Sequence, residues 1–319
     1  MKNNERENIF KNTNTSILKN KKIILGKPDN EDFINMGFQG GALGQAVNIF
    51  NQSLKKKSNI ALAFTSNAIT CGVRQYITKF IREYNVTMVI TSAGALEEDL
   101  LKTFNNFLQA PKEFSDSNLR KNGLNRSYDI LVPNSYYSEL SNFFEKFILD
   151  KDLKNKTFTI TDFCNYAGSI IKDENSFIRI CYKKKIPIYI QGALDGSIGD
   201  IIYFLNKNYK LTQDNTYDYL QSCDQATKEN NKKKLLLILG GSTPKHYCCN
   251  IHLLAGGADY AIYLNTELVQ DGSNAGASPS EAISWGKIKS KSKIIKVFCD
   301  FSISFPLFSF LIKENLQNI

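Results

Sequence analysis

The chain is poor in the residues that build metal centres and disulfide scaffolds. Two histidines, His246 and His252, are too few for a histidine-rich metal site. The seven cysteines, at 71, 164, 181, 223, 248, 249 and 299, are odd in number, scattered, and include no C-x-x-C pair. That pattern argues against a disulfide framework and a zinc site, and for a reducing compartment. No apolar run is long enough to span a bilayer, and the opening MKNNERENIFKNTNTSILKN lacks the apolar segment of a signal peptide. A soluble, cytoplasmic protein with no metal and no membrane partner is expected. A G-x-G-x-x-G fingerprint is also missing.

What is present is positive charge and aromatic bulk. The net charge of +9 suits an anionic partner. Lysine and asparagine, however, are spread along the whole chain, and no basic stripe is interleaved with aromatics. No nucleic-acid partner is therefore expected. With 21 Phe, 15 Tyr and 42% hydrophobic residues in 319, a large core can form. Residues 1–30 read as a flexible polar tail. Residues 31–319 show no linker and no repeat, which predicts a single domain.

From about residue 58, short apolar strands alternate with helical stretches. NIALAFTS (59–66), VTMVITSA (86–93), IPIYI (186–190), KLLLILGG (234–241), YAIYLN (260–265) and KIIKVFCDFS (ending at Ser302) read as strands. AITCGVRQYITKFIREY and LEEDLLKTFNNFL read as helices, and residues 135–185 as mostly helical. Continuous apolar strands with helices between them indicate a mostly parallel sheet covered on both faces. The fold class is α/β, doubly wound and Rossmann-like.

Such folds bind ligands beyond the carboxyl ends of their strands. Four ends are small or polar here: Thr65-Ser66-Asn67, Thr91-Ser92-Ala93-Gly94, Gly240-Gly241-Ser242 and Asn265-Thr266. Singly they are ordinary turns, but four on one sheet edge point to a nucleotide or cofactor cleft. Acidic residues gather at the same edge. GALDGSIGD places Asp195 and Asp200 in a glycine-rich loop. LEEDL places Glu97 and Glu98 in a first helical turn, where a favourable interaction with the helix dipole would also explain them. QDGSNAGASPSEAISWGK adds Asp271 and Glu281. Ser278-Pro279-Ser280-Glu281 matches a capping box, which gives Glu281 a structural role as well. Glu281 and Trp285, four residues apart, share a helix face. Carboxylates and an indole suit a small cationic ligand.

Lys287 follows the chain's only tryptophan in SEAISWGKIKSKSK. Either Trp285 is a core plug, or this lysine, closing the helix, is set apart from its solvated neighbours for chemistry. With an unperturbed pKa of about 10.4, roughly one lysine in 2,500 is neutral at pH 7. A nucleophilic lysine must therefore be desolvated or sit near another cation.

Taken together, TSN…GVR, TSAG…EEDL, LRKNGLNR…LVPN, DGSIGD, LGG…KH…N, ADYAIYLNT and DGS…EA…SWGKI resemble deoxyhypusine synthases of the eukaryotic type, from about Gly37 to Leu311. The resemblance implies an NAD-dependent transfer of the aminobutyl group of spermidine to one lysine of the translation initiation factor 5A precursor. Spermidine is oxidised, 1,3-diaminopropane is lost, and the four-carbon unit passes through an imine with an enzyme lysine. It implies Lys287 as that lysine and His246 as a base, whereas His252 has no counterpart. The implied cofactor contacts are Ser66, Asn67, Ala68, Ile69, Thr70, Ser92, Ala93, Gly94, Glu98, Asp195, Gly241, Thr266, Glu267, Asp271, Asp300 and Phe301. The implied polyamine contacts are Glu97, Glu98, Asp200, His246, Gly272, Ser273, Asn274, Glu281 and Trp285. A tetramer with active sites across a tight dimer interface is implied too, as a homotetramer or with a paralogue.

The chain departs from the family pattern in places. Asn274 stands where an aspartate is usual, and IQGAL precedes Asp195 in place of an SPALT-like stretch. GGSTPKHY replaces GGGVVKHH, and Glu267 and Phe301 occupy positions usually held by alanine. Three readings stand: an active deoxyhypusine synthase, a homospermidine synthase with a free-amine acceptor, and a weakly active or regulatory paralogue subunit.

Overall fold

Six strands pair side by side in the computed structural model, which describes residues 29–228 and 231–317. They are β1 (Asn59–Phe64), β2 (Val86–Thr91), β3 (Ile188–Ile190), β4 (Lys234–Leu239), β5 (Ala258–Asn265) and β6 (Ile288–Phe298). Their order across the sheet is β3-β2-β1-β4-β5-β6, and every pairing is parallel. This is the doubly wound order, and it reverses direction between β1 and β4.

The central strands are apolar without alternation because both faces are covered. All six residues of β4 and all eight of β5 are buried. The helices that matter for the site are α1 (Phe38–Lys55), α2 (Asn67–Thr70), α3 (Ala93–Phe104), α4 (Asn134–Asp150), α5 (Ser197–Tyr209), α6 (Ser242–Leu254), α7 (Pro279–Ser284) and α8 (Phe301–Gln317). Ile60, Leu62 and Phe64 face one core with Phe50 of α1 and Phe305 and Phe308 of α8. The intervening Ala61 and Ala63 face the other core, with Tyr247, Cys248 and Ile251 of α6. The period-2 geometry of a strand thus feeds two helical layers.

Several expectations are corrected. The stretch after β1 is not one helix: α2 ends at Thr70 and a second helix begins at Arg74. Gly72, at φ 95°, lies in the left-handed region that glycine adopts without steric cost, and it breaks the run. KSKSK belongs to β6, which starts at Ile288, so Lys287 lies in the bend immediately before a strand rather than closing a helix. Phe301 and Ser302, read as strand, begin α8 instead. A three-stranded antiparallel sheet of Leu108–Gln109, Leu124–Ser127 and Ile130–Pro133 was not anticipated. The expected tail lies outside the described residues except for Asp29 and Asn30. Those two cap and open the short helix Asn30–Ile34.

All seven cysteines are free. Among the described residues no helix is long and apolar enough to cross a membrane, and no three His, Cys, Asp or Glu side chains gather as metal ligands.

Candidate active site

Where the strand order reverses, the ends of β1, β4 and β5 frame a cleft of about 140 Å³. Asn67, Gly241, Thr266, Glu267, Asp300 and Phe301 line it with Thr65, Gly240, Ser242 and Asn265. Two helices start at this edge, α3 behind Ser92, whose side chain does not cap it, and α6 behind Gly241, which has no side chain to cap with. The Ala95 N–H already donates to Ser92 O at 3.1 Å and Pro244 carries no N–H, so the first two N–H groups of each helix are the ones open to another acceptor, at an end that favours anions. The backbones come close: a Cβ on Gly94 would lie 3.1 Å from the Ser66 Cβ. A Cβ on Gly240, at φ 84°, would lie 2.5 Å from the Thr65 hydroxyl oxygen. Ser92 Oγ and Asn265 Oδ1 are buried without a partner. The Ser92 hydroxyl, which can donate, and the closely approaching glycine backbone fit a bound phosphate, whereas Asn265 Oδ1, whose amide nitrogen donates to Gly240 O at 3.2 Å, can only accept and suits a hydroxyl donor such as a ribose.

The rest of the expected cofactor set is distributed around this edge. In α2, Ala68 and Ile69 are fully buried and Ser66 half-buried. Thr70 donates its hydroxyl to the Glu98 carboxylate. Lys102, which sequence reasoning passed over, closes α2 by donating to Ile69 O at 2.6 Å and Thr70 O at 2.9 Å. Ala93 is buried and opens α3. Asp195 is exposed in the turn before α5. Asp271 turns its own loop, its Oδ1 accepting from the Ser273 N–H at 2.7 Å. Asp300 does the same at the start of α8, accepting from the Ser302 N–H at 2.7 Å.

A larger cleft, about 610 Å³, lies between α6 and the segment that leads through α7 into β6. His246, Gly272, Asn274, Glu281, Trp285 and Lys287 all line it. Trp285 is 64% exposed, which rules out the core-plug reading. The Lys287 Nζ lies 5.4 Å from the centroid of the Trp285 ring, within cation–π range. Gly286, at φ 73°, reverses the chain between them. The Lys287 main chain is fixed on both sides: its N–H donates to Ala282 O, and its carbonyl accepts from the Ala258 N–H, each at 3.0 Å.

His246 pairs Nδ1 with the Asn250 side chain at 3.3 Å. Burial, then the charges of Lys287 and Lys245, hold its pKa below the ordinary 6.5. It is therefore neutral at pH 7 and free to take a proton. His252 is buried, bonded through Nδ1 to Cys248 O at 2.7 Å, and pushed down to about 4 by burial. Only half of the expected capping box forms at α7: Ser278 Oγ accepts from the Glu281 N–H at 3.2 Å, without the return bond from the Glu281 side chain. That cap engages the Glu281 backbone, and the exposed side chain lines the cleft.

The remaining acidic residues lie elsewhere. Glu97 and Glu98 sit in the second turn of α3, not the first, so they do not answer its own dipole. Glu97 instead caps a different helix, accepting from the Ile198 N–H of α5 at 2.8 Å. Burial raises Glu98 to about 7, opposed by the Thr70 hydroxyl and the Lys102 charge. Asp200 lies in the first turn of α5 rather than in a loop, and it lines a third cleft with Asn125, Tyr137 and Phe204. The expected polyamine residues therefore form two groups within one chain. One surrounds Lys287, and the other lies along α3 and α5.

Sequence reasoning also missed Lys245, which is buried beside His246 and lines the large cleft. A lysine directly before a candidate base was the available signal.

The comparisons with known proteins agree on a family. The deoxyhypusine synthase family profile matches residues 30–311. A deoxyhypusine synthase of Senecio vernalis is 34% identical over 306 residues, covering 87% of this chain and 82% of its own. Homospermidine synthase 2 of the same plant is also 34% identical over 306 residues, covering 87% and 83%. A crystal structure from Entamoeba histolytica, named provisionally a deoxyhypusine synthase, shares the fold with a TM-score of 0.64 at 23% identity. It covers 88% of this chain and 91% of its own. With a family match across most of its length, the chain belongs to the deoxyhypusine synthase family and is an enzyme of its aminobutyl-transferring type.

Proposed function

We propose that this enzyme transfers the aminobutyl group of spermidine to one lysine of translation initiation factor 5A, with NAD as cofactor and Lys287 as the covalent carrier. The observation that carries this reading is Lys287 lying against Trp285 in one cleft with His246 and Glu281. Exposed indole and carboxylate groups bind an ammonium chain by cation–π contact and charge. His246, neutral at pH 7, takes the proton that the Lys287 amine releases as it attacks the oxidised polyamine carbon. A carbon–nitrogen bond to Lys287 forms, the bond to 1,3-diaminopropane breaks, and that diamine leaves with a proton. The acceptor lysine then displaces Lys287 in the same way.

The small cleft supports a site for the phosphate part of NAD, through its glycine backbone and the first N–H groups of α3 and α6, with the unpaired Ser92 hydroxyl at the head of α3. Bound there, NAD would supply the hydride acceptor for polyamine oxidation and the hydride source for reducing the final imine. The two groups of acidic and basic site residues support an active site shared between two copies, within a homotetramer or a heterotetramer. We read residues 31–319 as one catalytic domain acting in the cytoplasm.

A homospermidine synthase reading rests on the equal 34% identity to both Senecio enzymes. A regulatory-subunit reading rests on Asn274 standing in the cleft without a carboxylate. Purified protein with NAD and labelled spermidine, with and without the factor, separates the three. Label on the factor supports the proposal, and labelled homospermidine supports the second reading. Absence of any product until a paralogue is added supports the third.

A further inference from the structure

Lys245 precedes His246 on α6 and is only 3% exposed. Its ammonium donates to Asn274 O at 2.7 Å, to Ala275 O at 2.9 Å, and to Ala277 O. A lysine ammonium has three donors and no acceptor, so all three are engaged. The Nζ also lies 5.2 Å from the centroid of the Tyr263 ring. Lys245 is therefore bound as a charged group, while Lys287 rests against Trp285.

The three carbonyls belong to the loop that links β5 to α7. That loop starts at the small cleft, with Thr266 and Glu267, and reaches the large cleft at Gly272 and Asn274. Lys296 of β6 ties the start of the loop to the same stretch, donating to Glu267 O and, at 3.3 Å, to Gly276 O. Between these anchor points residues 271–274 are exposed. Burying an ammonium costs free energy that an apolar side chain would not, so stability alone is a poor reason for a lysine here.

We infer that Lys245 is a positioning residue for the polyamine half of the site. Its ammonium fixes the carbonyls of Asn274, Ala275 and Ala277, and so sets Asn274, and Glu281 on the helix that follows, opposite His246 and Lys287. This rests on the spermidine reading above.

The test uses the full chain as Lys245→Met and Lys245→Gln, with spermidine and NAD affinities by calorimetry and kcat and KM by steady-state assay. Losing three charge-assisted bonds should raise the spermidine Kd and KM at least about tenfold in Lys245→Met. The effect should be smaller in Lys245→Gln, which keeps an amide donor, with the NAD Kd within about twofold in both. Borohydride should still trap the adduct on Lys287 at saturating spermidine. An unchanged spermidine Kd in Lys245→Met overturns the inference. So do equal losses for both ligands, or a fold lost in both variants, because each reduces Lys245 to a stability residue. Wild type that binds no spermidine refutes the spermidine reading itself, and that is seen before any variant is made.

Discussion

Lys287 and Lys245 lie in the same cleft with opposite surroundings, one against an indole and one held by three carbonyls. Lys287→Arg should abolish aminobutyl transfer and borohydride trapping while leaving the fold intact. Arginine keeps the charge but stays protonated throughout the useful pH range. An adduct that persists in the variant would move the carrier to another residue. Under the proposed mechanism His246 sets the acid limb of the pH profile. Its pKa is lowered, so the neutral base predominates at pH 7 and is lost as pH falls through that lowered value. Activity should drop on the acid side with a midpoint below 6.5. Ring-proton titration of a chain with two histidines can show whether His246 shares that midpoint. Asn274→Asp should tighten spermidine binding. A carboxylate about 4 Å from an ammonium gains roughly 4 kcal/mol at an effective dielectric of 20, and desolvation offsets part of it. A net of about 1–3 kcal/mol is roughly 5- to 150-fold in Kd, readable by calorimetry with NAD present. A change under about twofold would mean that position 274 does not face the polyamine.

At the scale of elements, what was legible followed the physics of periodicity. β1, β2, β4 and β5 were readable because buried parallel strands are unbroken apolar runs, and the cap of α7 because Ser278-Pro279 is a local signal. The start of β6 was not, because Lys289, Lys291 and Lys293 are exposed and carry the polarity of a loop. The Glu97 cap on α5 joins residues 101 apart in sequence, and no local pattern encodes that. The division of the acidic residues between two clefts was hidden for the same reason. One local anomaly gives a further prediction. Ser242 opens α6 at φ 55°, where the resembled family pattern carries a glycine. A left-handed non-glycine residue costs about 1–2 kcal/mol, and the extra unfolded-state freedom of glycine returns about 0.5–1 of that. Ser242→Gly should therefore stabilise the chain by roughly 0.5–1 kcal/mol, raising Tm by about 1 °C in calorimetry. A lower Tm would mean that the serine hydroxyl has a partner worth more than the strain.

At the scale of the whole molecule, the separation of Lys287 from Glu98 and Asp200 makes complementation the natural experiment. Lys287→Arg and Glu98→Gln should each be inactive alone. If each site draws on both copies, random mixing makes half of the pairs hybrids with one intact site. Refolded together at equal amounts, the variants should then recover roughly a quarter of wild-type activity. No recovery would place both groups of each site within one chain. Assembly is also constrained by the two ends of the central sheet. On one side β3 offers only three residues. On the other, β6 presents Lys289, Lys291 and Lys293 to solvent, and the Phe298 N–H is already taken by the Gln39 side chain at 2.6 Å. Short, charged or occupied rims resist the backbone pairing that would let sheets join end to end. Any assembly of copies would then use helices and loops rather than sheet edges. The strand-to-strand stacking that builds cross-β fibres is disfavoured at both rims, even for a protein so rich in lysine and phenylalanine.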